Sequence, residues 1–534
     1  MGGVVLYDTT LRDGTQGEGI SLSLADKLRI LRKLDEFGMH YVEGGWPGAN
    51  PKDSEFFARA RGLKLRRARL TAFGMTRRPH MPTESDPTVL ALLEAGTPVV
   101  AVVGKSWRLH VTDVLRTSLD ENLAMIRDTC AHLKAQGREV VYDAEHFFDG
   151  YRDDPEHALR SVGAALEGGA DWLVLCDTNG GSLPSFVGRV VGEVARALPG
   201  ARIGIHPHND CELGVANALA AVEAGATQVQ GTVNGYGERV GNANLISIVA
   251  NLKLKMGIDC VSDRALARLT ELSNFVADVA NQVPNAHQPF VGASAFAHKA
   301  GLHVNAVLKT AASFEHVDPA RVGNRQRILV SEMGGRSNVL SKLRQFGLAS
   351  DDERELDDRL RRVSAQVKEM EARGFTYEAA EASFELLVRR SLPDYKAPFE
   401  MLDALVLVEK RRGVEMLAEA TAKMRVGASV MHTAAEGNGP VNALDVAMRK
   451  ALYEFYPELV KVELVDFKVR VVDQTAGTGT VVRVSIESTD GHASWSTVGA
   501  STNIIEASWL ALADSMEYAL LRARARNSTP VRLS

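Results

Sequence analysis

Between residue 4 and about residue 257, short β-rich apolar runs alternate with helix-length amphipathic runs. That alternation predicts parallel strands joined by crossover helices. Eight runs read as strands, at 4–8, 41–44, 70–74, 98–103, 139–143, 172–177, 202–205 and 228–233. The first intervening run shows how a helix is specified: Ser23 is placed to cap it, Asp26 falls in its first turn, Leu24, Leu28, Leu31 and Leu34 form an apolar stripe, and Gly38 ends it. Alanine-rich runs near 158–167, 212–224 and 244–256 follow later strands similarly. Eight such units in about 260 residues predict an α/β fold, a (β/α)8 TIM barrel. A doubly wound open sheet would carry a glycine-rich turn after its first strand, and Thr9-Thr10-Leu11-Arg12-Asp13-Gly14 is not one.

Beyond Gly257 the pattern turns helical. Residues 262–279 predict a helix capped by Ser262, and 351–373 a strongly charged amphipathic helix. Between them, 288–308 is rich in small residues with His287, His298 and His303 nearby. From about Met424 a weak repeat appears: a β-rich run, then Gly439-Pro440-Val441-Asn442 opening a helix, a second β-rich run, then Ser501-Thr502-Asn503 opening another. The expected organisation is a barrel over 1–265, a helical linker over 266–404 and a small duplicated α+β domain over 405–534.

A chain of 534 residues exceeds one ordinary core, which agrees with several domains. Its net charge of −5 leaves no positive excess for nucleic acid or an anionic membrane surface. Cys130, Cys176, Cys211 and Cys260 have no CxxC spacing and read as free thiols, with the cytoplasm as the expected compartment. No basic and apolar leader precedes the first strand and no apolar run reaches membrane-spanning length, so neither secretion nor membrane insertion is expected.

In a barrel, chemistry sits at the C-terminal strand ends, and here these are unusually polar. They carry Arg12 and Asp13, Glu43, Glu145, Asp177-Thr178-Asn179, His206 and His208, then Asn234, Glu238 and Asn242. Singly, most such residues are caps or turns, and Arg12 alone would be a rim salt bridge. His206 and His208, at i and i+2 of a strand that Pro207 ends, point the same way. Barrel closure places them in one arc with Asn242 and Asp13. Two imidazoles, a carboxylate and an amide oxygen suit a divalent cation (Mn, Mg, Co or Zn) with open positions, hence Lewis-acid chemistry on a 2-oxo acid. Arg12, oriented by Glu43, would stabilise developing negative oxygen. Glu145 and Glu238 are candidate acid/base or outer carboxylates, and Thr178 a donor to a substrate carboxylate. The run Gly235-Tyr236-Gly237-Glu238-Arg239-Val240-Gly241 lacks GxGxxG spacing and reads as a tight loop around Asn242, not a dinucleotide site.

Four motifs, Asp8-Thr9-Thr10-Leu11-Arg12-Asp13-Gly14, His206-Pro207-His208-Asn209-Asp210, Asn234-Gly235-Tyr236-Gly237-Glu238-Arg239 and Gly241-Asn242-Ala243, make the chain resemble the 2-isopropylmalate, homocitrate and citramalate synthases over essentially its whole length. Arg12 to Gly19 and Val42 to Gly48 look most like the citramalate branch. The resemblance implies condensation of acetyl-CoA with pyruvate, in isoleucine biosynthesis. Asp13, His206, His208 and Asn242 match metal ligands; Arg12, Glu145 and Thr178 match substrate-site residues. His303 matches a histidine implicated in deprotonating acetyl-CoA, entering from a partner subunit of a homodimer. A carboxylate-activated water is the other candidate base. The duplicated domain would be regulatory, with isoleucine as feedback effector held near 439–442 and 501–503, or a dimer clamp only. Trp46 and Asp143 depart from residues typical of relatives, so 2-oxoisovalerate remains an alternative acceptor. An aldol lyase or biotin-dependent carboxyltransferase would leave the duplicated domain without a role. A non-catalytic metal-binding regulatory protein is the reading of a different class, opposed by the full set of charged strand ends.

Overall fold

The computed structural model describes residues 3–330, 336–410, 416–472 and 479–528. The expected linker and C-terminal segments therefore include stretches, 331–335, 411–415, 473–478 and 529–534, that lie outside the described residues. Contacts divide the chain into two units, one of 1–296 with 316–326, the other of 297–315 with 327–534.

In the first unit eight parallel strands close into a barrel: β1 (Val5–Asp8), β2 (Tyr41–Gly45), β3 (Arg69–Met75), β4 (Val99–Lys105), β5 (Glu139–Glu145), β6 (Trp172–Asp177), β7 (Ile203–Pro207) and β8 (Gln228–Gly231). Closure is made by β8 on β1, with Val5 opposite Gln228 and Asp8 opposite Gly231. All eight expected strands form; β8 ends two residues early because Val233–Gly235 turns into a 3-10 segment. Strands buried on both faces explain the near-continuous Val and Ala runs. Tyr7, Tyr41, Phe73, Val99, Ala101, Val141, Trp172 and Val174 fill the barrel interior. A larger apolar shell packs the helices on the outside.

The first helix, Leu24–Phe37, has a complete capping box between Ser23 and Asp26 and ends on Gly38 in the left-handed region at φ 105°. Its stripe buries Leu31 and Leu34 with Ile30 and Phe37, and buried Lys27 pairs with Asp53. The single helix expected over 262–279 is instead two, Asp263–Leu266 and Leu269–Val279, because Arg268 (φ −108°, ψ 13°) leaves helical geometry between them.

The second unit holds helices Gly301–Lys309, Arg336–Gln345, Glu353–Ala372 and Glu381–Arg390, followed by two halves of like design. Strands Glu400–Glu409, Leu417–Val426 and Ser429–Gly437 form an antiparallel sheet and lead into helix Pro440–Leu452. Strands Glu463–Val471, Val482–Thr489 and Ser494–Ser501 form the second sheet and lead into helix Ile504–Ser528. The repeat thus starts at Glu400 rather than Met424, and residue 405 lies inside its first strand. Among the described residues no helix is long and apolar enough to cross a membrane.

Candidate metal centre and active site

Three loops converge at the C-terminal mouth. After β1 the chain turns through a 3-10 segment that begins at Asp13. His206 lies within β7, and His208 follows it and bridges to Asn242. The 235–241 loop achieves this by folding back sharply: Gly241 has φ 97°, and a Cβ there would lie 1.9 Å from the Gly235 carbonyl oxygen. One potential ligand atom from each of Asp13, His206 and His208 lies within 4.8 Å of the others, and all three residues are buried. His208 Nδ1 and Asn242 Oδ1 are buried without a hydrogen-bond partner, and Asp13 Oδ2 meets only His206 Nε2 at 3.1 Å among the described residues. Orphaned buried polar atoms cost about 1–3 kcal/mol each, so their presence on the ligand group and on the residue bridged to it fits a cation taken up here. The group Asp13, His206 and His208 can hold a metal ion, and Asn242 stands beside it.

The electrostatics agree. Burial works to raise the Asp13 carboxyl, but the Arg12 charge and the neighbouring His206 outweigh it and hold the acid well below the usual carboxylate range. Burial works to lower His206, yet Asp13 at 3.1 Å raises it to about 9. Burial and the neighbouring His206 drive His208 down to about 3, which keeps that imidazole neutral and able to donate a lone pair.

Arg12 is held from three sides. Its Nε donates to Glu43 at 2.6 Å, its Nη1 to Asp13 at 2.7 Å, and its guanidinium carbon sits 3.8 Å from the centre of the Phe73 ring. Glu43, fully buried, also accepts from the Tyr7 hydroxyl at 2.5 Å. Arg12 is thus fixed by a fork-shaped set of charge-assisted bonds that a lysine would not reproduce.

The remaining expected residues are more scattered. Glu145, at the end of β5, pairs with Lys105 at the end of β4. The Thr178 hydroxyl accepts from the His146 amide at 2.8 Å, while Arg239 binds the Thr178 carbonyl and Asp210. Glu238 is exposed, and the only ion pair it makes among the described residues is with Arg239 at 3.8 Å. His303 belongs to the second unit, on helix Gly301–Lys309, with its ring stacked on Phe314 at 4.3 Å. Sequence reasoning gave no site role to Lys105, Tyr7, Asp143 or Gln230. The last two had a signal: polar side chains at interior-facing strand positions of a barrel otherwise filled with apolar residues. Burial and the Glu43 charge push Asp143 up to about 7.

Residues 3–276 match the HMGL-like family, 290–374 the homocitrate synthase post-HMGL domain-like family, and 378–520 the LeuA allosteric (dimerisation) domain. The HMGL-like match spans the barrel and more than half of the chain, which belongs to that family. Within it the chain stands among the (R)-citramalate synthases: it is 53% identical over 520 residues to that of Aquifex aeolicus, covering 97% of this chain and 98% of the relative. To the (R)-citramalate synthase of Synechocystis it is 50% identical, covering 96% of each chain. The probable 2-isopropylmalate synthase of Methanopyrus kandleri is more distant at 32%, covering 95% of this chain and 96% of the relative. Among solved structures, an HMG-CoA lyase from Bacillus subtilis is 21% identical, covering 53% of this chain and 96% of its own, with a TM-score of 0.46.

Proposed function

We propose that this chain condenses acetyl-CoA with pyruvate in a Claisen-type acyl transfer, giving (R)-citramalate and CoA after hydrolysis of the thioester. The observation that carries the reading is the buried Asp13, His206 and His208 group beside a braced Arg12, in a chain about half identical to curated (R)-citramalate synthases over nearly its full length.

Asp13, His206, His208 and Asn242 hold a divalent cation of the Mn, Mg, Co or Zn kind, which when bound supplies Lewis acidity to a 2-oxo acid. Arg12 faces the same point and stabilises the alkoxide charge that develops when the acetyl carbanion attacks the ketone. Glu43 and Tyr7 keep Arg12 in place, so its donors need no reorganisation during reaction. Thr178 positions the substrate carboxylate, and Glu145, held by Lys105, moves a proton at the mouth. Glu238, on the exposed loop, makes a weaker substrate contact. His303, carried on the linker of a partner subunit, removes the acetyl methyl proton.

The barrel (1–265) carries the cation and the 2-oxo acid, the linker (266–404) completes the site, and the module from about 400 onward pairs subunits and carries feedback control by isoleucine. Exposed Leu405 and Leu407, on one face of the first sheet, support pairing through that module. The net charge of −5 does not favour a nucleic-acid partner, and the reading places the enzyme in the cytoplasm. The test is release of free CoA thiol with both substrates. Chelation abolishes it and a divalent metal restores it, while Asp13→Asn stays folded and inactive. Full activity of Asp13→Asn at low metal would move the cation elsewhere.

A further inference from the structure

Inside the barrel, behind the metal-binding residues, a short chain of buried polar groups runs across three strands. Gln230 on β8 is fully buried, and its Oε1 lies 2.7 Å from His206 Nδ1 on β7. Its Nε2 lies 3.1 Å from Asp143 Oδ1 on β5 and 3.2 Å from Gln228 Oε1. Asp143 and Gln228 are buried as well.

From this geometry we infer that Gln230, oriented by Asp143, is the positioning residue that fixes the tautomer and ring direction of His206. The amide of a glutamine fits either way round by shape alone, so its direction is set by its neighbours. One end of Gln230 faces the Asp143 carboxylate oxygen and the Gln228 side-chain amide, which can turn to suit it. Turned the other way, its oxygen would oppose the ionised Asp143 carboxylate, leaving two buried acceptors facing each other. The NH2 therefore faces Asp143, and Oε1 faces His206. An oxygen there accepts only from a protonated nitrogen, so Nδ1 of His206 carries hydrogen and Nε2 is the nitrogen left to ligate. Nε2 is the atom 3.1 Å from Asp13 Oδ2. Groups that orient a ligating histidine this way typically contribute about 10–100-fold to metal affinity.

The inference rests on the metal reading above, and one set of titrations separates the two. Calorimetric titration of the metal-free full chain with Mn²⁺ is the measurement. Failure of the wild type to bind sinks the metal reading itself. Given wild-type binding, Gln230→Leu is expected to bind about 10–100-fold more weakly with unchanged circular dichroism, and saturating Mn²⁺ recovers its turnover. The reversed pair, Gln230→Glu with Asp143→Asn, restores the same bonds: the amide introduced at position 143 donates to the carboxylate introduced at position 230, which still accepts from His206. It is expected to bind at least as tightly as wild type. Wild-type affinity in Gln230→Leu overturns the inference, as does a reversed pair as weak as that single variant. Should Gln230→Leu not fold, the reversed pair set against wild type decides alone.

Discussion

Replacing Arg12 by lysine keeps the charge and removes the fork, and the structure says what is lost. Arg12 uses Nε on Glu43 and Nη1 on Asp13, 2.6 and 2.7 Å away, and still has Nη2, which makes no hydrogen bond among the described residues and which the proposed mechanism assigns to substrate. A single ammonium cannot reach Glu43, Asp13 and a developing alkoxide at once. Drawn back by two carboxylates, the lysine leaves the oxyanion without its donor. Loss of one such donor costs about 3–4 kcal/mol of transition-state stabilisation, a fall in kcat of about 10²–10³. Folding suffers less, because Glu43 keeps the Tyr7 hydroxyl and the new ammonium. The assay is initial-rate CoA release at saturating metal, with thermal unfolding and Mn²⁺ titration as controls. A kcat within about tenfold of wild type in a folded, metal-loaded Arg12→Lys enzyme would refute the role of the fork.

Further outcomes follow from the geometry. His206 stands at about 9 and His208 at about 3, so at pH 7 only His206 carries a proton that the cation must displace; binding should release one proton and weaken about tenfold per unit as pH falls from 8 to 6, which calorimetry in buffers of different ionisation enthalpy reads, and release of none or two contradicts the assignment. The same raised value means that His206 stabilises the metal-free fold below its unfolded value near 6.5 and that this stabilisation is lost as pH rises through 9, so metal-free protein should melt progressively lower over that window in its thermal scans. Mixing His303→Ala with Asp13→Asn protein should recover about a quarter of wild-type activity after full subunit exchange, since half the dimers are mixed and each has one intact site of two; no recovery after verified exchange contradicts sharing in trans. Isoleucine control is best tested on the full chain with millimolar isoleucine, because deletion from residue 405 would strip Val498 and Ala500 from the core they share with Phe375, Phe384 and Val388; an insensitive enzyme leaves the duplicated module a dimer clamp.

The barrel was legible because each strand is a short apolar run between amphipathic helices with their own caps, and that pattern is local. So were Asp13, His206 and His208, since i and i+2 in a strand fixes a common face and closure fixes the arc. What escaped were effects of tertiary surroundings. Gln230 and Asp143 showed only as polar residues in apolar strands, because their pairing joins positions 87 residues apart. Glu238 looked like an equal of Glu145 because both end strands, yet its loop turns it to solvent while Lys105 holds Glu145. The break at Arg268 hides within a continuous amphipathic pattern, for nothing in its own chemistry forbids a helix. His303 was read from a likeness alone, and its short histidine-bearing helix gives periodicity nothing to work on.

The most direct measurement is the ratio of kcat/KM for pyruvate and 2-oxoisovalerate, read as CoA thiol released from acetyl-CoA by the metal-loaded full chain. The account predicts that pyruvate is preferred, that activity disappears with chelator, and that it returns with a divalent cation. Discrimination by an apolar pocket over two added methyl groups is worth about 1–3 kcal/mol each, so the preference should exceed about tenfold. A higher kcat/KM for 2-oxoisovalerate, or condensation that persists without any metal, would contradict it.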